Sequence, residues 1–413
     1  MEEKYLAAKE CLKKYNQEQI LNHYCTLSEE KKSKLLDQIL TIDFAQMKEL
    51  YEATKKSADF SKDEIEPIAY IDKTKLTKQE YDKYYELGRN EIKSGKYAVV
   101  TMAGGQGTRL GHKGPKGTFD LGLKSHKSIF ELLTDSLKSQ SEIYGVSIPW
   151  YIMTSKENNK DTVEFFEKNN YFGYQKNSIM FFIQGELPMC GEDGKILIGE
   201  DGLIKEAADG HGGIFESMRI NGITYDMENK GIQWAFIGPV DNVLVNMVDP
   251  ILLGICKDKH VLAGGKSVVK AYPEEKVGVF CKRNGNPSVV EYTEISDEMA
   301  HRIDENGELV FGESHINCNL FNINTIKNVS MNKLPYHSAH KKANYIDENG
   351  KLIIAEKPNA YKFEAFIFDA FDKLEDMAIL RVKREEEFAP VKNSEGNDSP
   401  ETARKLYEEF YKI

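Results

Sequence analysis

No stretch of this chain carries enough consecutive apolar residues to span a bilayer. Its first residues, MEEKYLAAKECLKK, are charged and lack the apolar core of a secretory leader. A cytoplasmic protein that does not engage membranes is expected. Cysteine is scarce: Cys11, Cys25, Cys190, Cys256, Cys281 and Cys318 are the only six, and no two form a C-x-x-C pair. That spacing offers no disulfide framework and fits a reducing compartment. Positive charge is in deficit, and the net charge of -11 argues against non-specific nucleic-acid binding. It leaves room for a local basic cleft. There is no internal repeat and no low-complexity tract. What remains is 413 residues, 40% of them hydrophobic, enough for a large core and a main domain with appendages.

Two familiar phosphate-binding signatures are also missing. A Walker loop needs Gly-Lys-Ser/Thr opening a helix, whereas here Pro115 precedes Lys116-Gly117-Thr118. A dinucleotide fingerprint needs G-x-G-x-x-G, and Gly105-Gln106-Gly107 is followed by Leu110 where the last glycine belongs, which disfavours an NAD-dependent dehydrogenase. What is present is YAVVTMAGGQGTRLGHKGPKG over Tyr97–Gly117. An apolar, β-branched run ends in Gly104 and Gly105, with Gly107, Arg109, Gly111 and Lys116 beyond. Glycines let backbone N–H groups approach a ligand closely. Arg109 offers a planar fork of donors and Lys116 a compact point charge. A strand feeding such a loop suits a nucleoside triphosphate.

The rest of the chain divides into three parts by pattern. Residues 1–95 read as helical. Thr26-Leu-Ser-Glu29 and Thr77-Lys-Gln-Glu80 have capping-box spacing. Leu35, Leu36, Ile39 and Leu40 follow the first, and Tyr81, Tyr84, Tyr85 and Ile92 the second, with Gly95 as a stop; the tyrosine stripe is expected to pack onto the main domain. Over residues 96–385, short apolar runs (Tyr97–Met102, Trp150–Thr154, Ile179–Ile183, Trp234–Ile237) alternate with helical patterns near Ser128–Tyr144 and Thr162–Asn169. This predicts an α/β fold with a mostly parallel sheet, whose ligands gather at the carboxyl ends of strands. Asn284-Gly-Asn-Pro287 predicts a turn in an antiparallel excursion carrying Glu291, and Glu348-Asn-Gly350 another turn. Residues 386–413 form a short C-terminal segment, with a polar loop over Lys392–Pro400 before a last helix. His337 and His340, at i, i+3, would share a helical face, but no carboxylate or third ligand accompanies them, so they are read as structural.

The motifs GGQGTRLG and PKG, with WYIMTS at Trp150–Ser155, FFIQGELP at Phe181–Pro188, DGHGG at Asp209–Gly213, VDN at Val240–Asn242, KPNAYKFEAFIFD at Lys357–Asp369 and REEEFAPVKN at Arg384–Asn393, resemble those of the UDP-sugar pyrophosphorylases, in the family's order. The likeness is greatest to the UDP-N-acetylglucosamine pyrophosphorylases. It implies a Rossmann-like nucleotidyltransferase core that joins UTP and a sugar 1-phosphate, reversibly and with Mg²⁺ (or Mn²⁺), into a UDP-sugar and pyrophosphate. The expected product is UDP-N-acetylglucosamine, with UDP-glucose, UDP-galactose or broad specificity as the alternative. A non-catalytic nucleotide-sugar sensor is a further reading, against which the intact Arg109, Lys116 and Asp241 speak. The expected assembly is a monomer or weak homo-oligomer. A further C-terminal portion of the eukaryotic relatives has no counterpart here.

By the same likeness, Arg109, Lys116, Lys362 and Lys392 approach the phosphates and Asp241 holds the metal. Ala103, Gly104 and Gly105 face the uracil, Gln184 reads the base, and Gly210 gives close backbone access to base or ribose. The sugar pocket departs from the pattern. His211 stands where the nearest relatives have Asn in Asp-Gly-Asn-Gly-Gly, and His315 replaces a second Asn, with Asn317 or Asn319 available to compensate. Glu291 keeps the sugar-contacting carboxylate. A phosphate nucleophile is already ionised at neutral pH, so no general base is needed, and the lack of a Ser-His-Asp or Cys-His arrangement is consistent with that chemistry.

Overall fold

The computed structural model describes residues 1–56 and 63–413. They group into two compact units, each built from separate stretches of chain. The larger takes residues 63–184, 214–333 and 367–413, the smaller residues 1–56, 185–213 and 334–366. The N-terminal helical stretch therefore contributes to both units.

An eleven-stranded sheet organises the larger unit: β1 (Ile65–Pro67), β2 (Ile71–Asp72), β3 (Tyr97–Met102), β4 (Trp150–Thr154), β5 (Ile179–Ile183), β6 (Trp234–Pro239), β7 (Ala263–Val269), β8 (Val279–Arg283), β9 (Asn286–Val290), β10 (Glu313–Asn322) and β11 (Ala378–Arg381). The order along the sheet is β2-β11-β7-β10-β6-β3-β4-β5. Neighbours run parallel except where β10 lies antiparallel to both β7 and β6. All residues of β3 and β4 are buried, as continuous apolar runs in a sheet covered on both faces should be. The β8–β9 hairpin turns at Asn284 and Gly285, both at positive φ (54° and 85°), and delivers Glu291 just beyond its second strand.

The helix Ile129–Tyr144 starts where Ser128 accepts the Glu131 N–H and ends at left-handed Gly145. It buries Ile129, Phe130, Leu132, Leu133 and Leu137. The helix Lys78–Lys93 carries the expected Thr77–Glu80 capping box, and Gly95 follows its end at φ 70°. Of its tyrosines, Tyr84 enters the core and Tyr85 packs against it, while Tyr81 stays at the surface stacked on Tyr85. This helix approaches Pro250–Asp258 so closely that a Cβ on Gly88 would lie 2.0 Å from the Pro250 carbonyl oxygen. No described helix is long and apolar enough to cross a membrane.

In the smaller unit the helices Glu2–Lys14, Glu29–Thr41 and Phe44–Thr54 bury Leu12, Leu35, Leu36, Ile39 and Phe44 with Cys190, Ile196 and Phe363. Three expectations are corrected here. Thr26 does not open a helix: it ends a short 3-10 turn, and Ser28 caps Glu29–Thr41 by accepting the Lys31 N–H. Leu40 turns outward. His337 and His340 lie on a strand, His337–Lys341, paired with Ala360–Glu364, not on a helix. Positions three apart on a strand face opposite ways. His337 stacks on Phe366 and His340 on Tyr361, consistent with packing roles. The expected Glu348–Gly350 turn links Tyr345–Ile346 to Leu352–Ile353.

Candidate active site

Because β3, β4, β5 and β6 are parallel, their carboxyl ends open on one edge of the larger unit. The segments that leave that edge are tied to it by the backbone. Ala103 N–H donates to Met153 O at 2.7 Å, Gln184 N–H to Thr154 O at 2.8 Å and Val240 N–H to Met102 O at 3.1 Å. The glycine loop then folds back on itself, with Gly107 N–H donating to Gly114 O and Lys116 N–H to Gly105 O. Gln184 is buried, and its Oε1 sits where a side chain on Gly104 would be, 2.7 Å from the Cβ position. Ala103, Gly104, Gly105 and Gln184, expected around the base, are thus brought together. Gly117 is equally constrained, since a Cβ there would lie 2.2 Å from the Phe130 ring.

Across the same edge, Lys116 Nζ meets Asp241 Oδ2 at 2.9 Å, with both side chains about one-fifth exposed (17% and 19%). The candidate phosphate cation and the candidate metal carboxylate are direct partners. Arg109 is exposed on the short turn Thr108–Leu110. Asp241 O accepts the Val391 N–H at 2.9 Å, so the segment carrying Lys392 runs beside the aspartate. Asn242 fixes that pairing: fully buried, it donates to Glu387 O and accepts from Ala389 N–H, both at 2.8 Å. Lys392 is half-exposed, 3.4 Å from Asp398. Among the described residues no three His, Cys, Asp or Glu side chains converge as a metal cage. One accessible carboxylate fits Mg²⁺, which is held by one or two carboxylates plus phosphate oxygens and water. Burial pushes the Cys318 thiol up to about 12, so it is no thiolate nucleophile at neutral pH.

Beneath this edge lies a charge cluster that the sequence reading missed. Lys266, 1% exposed on β7, contacts Glu387 and lies 2.8 Å from Asp249; Lys73 meets the same two carboxylates at 2.9 and 3.1 Å. Burial pushes the Asp249 carboxyl up, but the two ammonium groups outweigh it and hold the group well below the usual carboxylate range. Asp249 also caps the helix Pro250–Asp258. A lysine within the apolar run AGGKSVV was the available signal, since a buried ammonium requires carboxylate partners.

The residues expected around the sugar fall in both units. In the larger, His315 is packed edge-on against Phe280, Phe368 and Phe371, and its Nε2 lies 3.1 Å from Asn319 Oδ1. Asn319 in turn donates to Asn317 Oδ1 at 3.4 Å. Asn317 adopts φ 60° where β10 bulges against β7. His315, Asn317 and Asn319 therefore form one relay. Glu291 follows β9, its carboxylate 3.1 Å from where a Gly278 side chain would begin. In the smaller unit, Gly210 takes φ 86°, and a Cβ there would lie 2.3 Å from Ala365 O, so only glycine fits. His211 packs against Phe366, and Lys362 pairs with Glu364 at 2.8 Å.

The family described as UTP–glucose-1-phosphate uridylyltransferase matches residues 42–398. The chain belongs to this family. Among relatives, a UDP-N-acetylhexosamine pyrophosphorylase-like protein 1 from Xenopus tropicalis is 39% identical over 79% of this chain, which spans 66% of that protein's length. The UDP-N-acetylglucosamine diphosphorylase 2 of Arabidopsis thaliana is 36% identical over 96% of this chain and 82% of its own. The crystal structure of the Trypanosoma brucei UDP-N-acetylglucosamine pyrophosphorylase superposes with a TM-score of 0.84 at 29% identity, covering 98% of this chain and 84% of that one. The resemblance read from the motifs, and the α/β fold with a mostly parallel sheet, are borne out for this uridylyltransferase-family chain.

Proposed function

We propose that this family member is a UTP:sugar-1-phosphate uridylyltransferase that makes UDP-N-acetylglucosamine and pyrophosphate from UTP and N-acetylglucosamine 1-phosphate, reversibly. The observation that carries this reading is the Lys116–Asp241 pair beside the glycine loop, in a chain matched along most of its length by relatives bearing that activity's name. The sugar phosphate oxygen attacks the α-phosphorus of UTP. A new P–O bond forms, the α–β bridge breaks, and pyrophosphate leaves. Lys116 and Arg109 hold and neutralise the departing phosphates, with Lys392 and Lys362 assigned to the phosphates by family likeness. Asp241 would hold a divalent cation with the triphosphate oxygens; the ion supplies charge neutralisation. Gln184 and the Ala103–Gly105 backbone bind the uracil, with Gly210 allowing close approach. Glu291, His211 and the His315–Asn319–Asn317 relay are assigned to the sugar. The scarce, unpaired cysteines support a cytosolic setting, and no partner beyond the substrates is invoked.

The test is pyrophosphate release from UTP with N-acetylglucosamine, N-acetylgalactosamine, glucose and galactose 1-phosphates. The highest kcat/KM is expected for N-acetylglucosamine 1-phosphate. A higher value for glucose or galactose 1-phosphate overturns the sugar assignment, and no release with any of the four overturns the reaction.

A further inference from the structure

Asn158 directly precedes the helix Asn159–Lys168, and its side chain makes no capping hydrogen bond to it. Its backbone is already helical (φ -109°, ψ -2°), and the cap is Ser155 one turn earlier, whose C=O accepts the Asn159 N–H at 3.0 Å. The fully buried amide links the helix start to the glycine loop. Its Nδ2 donates to Ala103 O at 2.9 Å and, more weakly, to Gly105 O at 3.4 Å, while its Oδ1 accepts the Ser155 N–H at 2.9 Å. The Asn158 N–H closes a reciprocal turn on Ser155 Oγ at 3.2 Å.

The peptide bond is planar and trans, so each carbonyl drawn toward Asn158 turns the N–H of the same peptide the other way. Ala103 O and Gly105 O face inward, so the N–H groups of Gly104 and Gln106 face outward. Among the described residues neither these nor the Gly105 N–H donates to a protein acceptor. From this we infer that Asn158 is a positioning residue that holds the loop's donors toward the nucleotide while its other amide atom closes the helix start on Ser155. The inference rests on the uridylyltransferase reading only for what those donors bind.

The decisive variant is Asn158→Asp. It keeps the size, and a carboxylate suits a helix start, but it loses the Nδ2 donors and sets a negative charge against two carbonyl oxygens. The expected result is a folded protein in which amide exchange at Gly107 and Lys116, whose N–H groups bond within the loop, rises about 10-fold while exchange in the helix 159–168 does not rise. The kcat/KM for UTP should fall at least about 10-fold, with the KM for sugar 1-phosphate at saturating UTP changed by less than about 2-fold. Asn158→Ser, which removes the Nδ2 donors without adding a charge and leaves the Ser155 cap in place, serves as a second variant should the aspartate fail to fold. Unchanged loop exchange overturns the inference, as does loss of helix and loop protection together with normal UTP kinetics per folded molecule. If wild type released no pyrophosphate, the uridylyltransferase reading would fail while the exchange experiment still decided the role of Asn158.

Discussion

Replacing Lys116 by alanine separates a catalytic contribution from a structural one. The pair it breaks has a Nζ–Oδ2 distance of 2.9 Å. Coulomb attraction at that distance is about 1.4 kcal/mol in bulk water and about 6 kcal/mol at an effective dielectric of 20. Both side chains keep about one-fifth of their exposure (17% and 19%), and desolvation offsets most of the gain, leaving a net stability loss of about 1 kcal/mol. For a unit of this size that lowers Tm by roughly 2 °C. The effect on turnover is expected to be far larger. A charge-stabilising group aimed at a leaving pyrophosphate is worth about 100- to 1000-fold in kcat. Thermal unfolding and coupled pyrophosphate detection on the same preparation measure both. In the Lys116→Ala/Asp241→Asn double variant the stability losses should fall short of additive, because the two side chains are in contact. A kcat within 10-fold of wild type, or a Tm drop large enough to account for the lost activity, would refute the assignment.

Activity is expected to vanish in excess chelator and return with Mg²⁺, and Asp241→Asn should raise the Mg²⁺ concentration needed for half-maximal rate at least several-fold; full activity in chelator would remove the metal. UTP should be strongly preferred over ATP, and Gln184→Ala should cut kcat/KM for UTP about 10-fold or more, whereas equal rates with the two nucleotides would contradict the base contact. Lys266→Met should cost about 3–5 kcal/mol at pH 7, because it leaves Asp249 and Glu387 buried with only Lys73. Asp249 is held below its unfolded value, so its contribution is fully present above about pH 4 and is lost as pH falls toward the folded pKa. The penalty of Lys266→Met should therefore shrink below about pH 4, and denaturant midpoints that show an equal penalty at pH 7 and pH 3 would contradict the cluster's role.

The sequence by itself determined the parallel strands β3 to β6, the β8–β9 hairpin, the helices Lys78–Lys93 and Ile129–Tyr144 and the place of the glycine loop at a strand end, because those follow from period, capping residues and glycine placement within short windows. Apolar runs such as Tyr97–Met102 and Trp150–Thr154 specify buried parallel strands wherever they pair, and Thr77–Glu80 caps its helix from four adjacent residues. The misplaced cap at Thr26 and the strand at His337–Lys341 show the limit of such windows. Ser28 competes with Thr26 two residues away, and pairing with Ala360–Glu364 overrides a helical reading of histidines three apart. Contacts between distant stretches were decided only by the tertiary structure. Nothing near Lys116 announces Asp241, nothing near Asn158 announces Ala103 and Gly105, and Lys266 meets Asp249 and Glu387 only once β7, the helix start at Pro250 and the segment after β11 have packed. Such pairings depend on where the sheet order sets each strand end, and a linear sequence does not state that order.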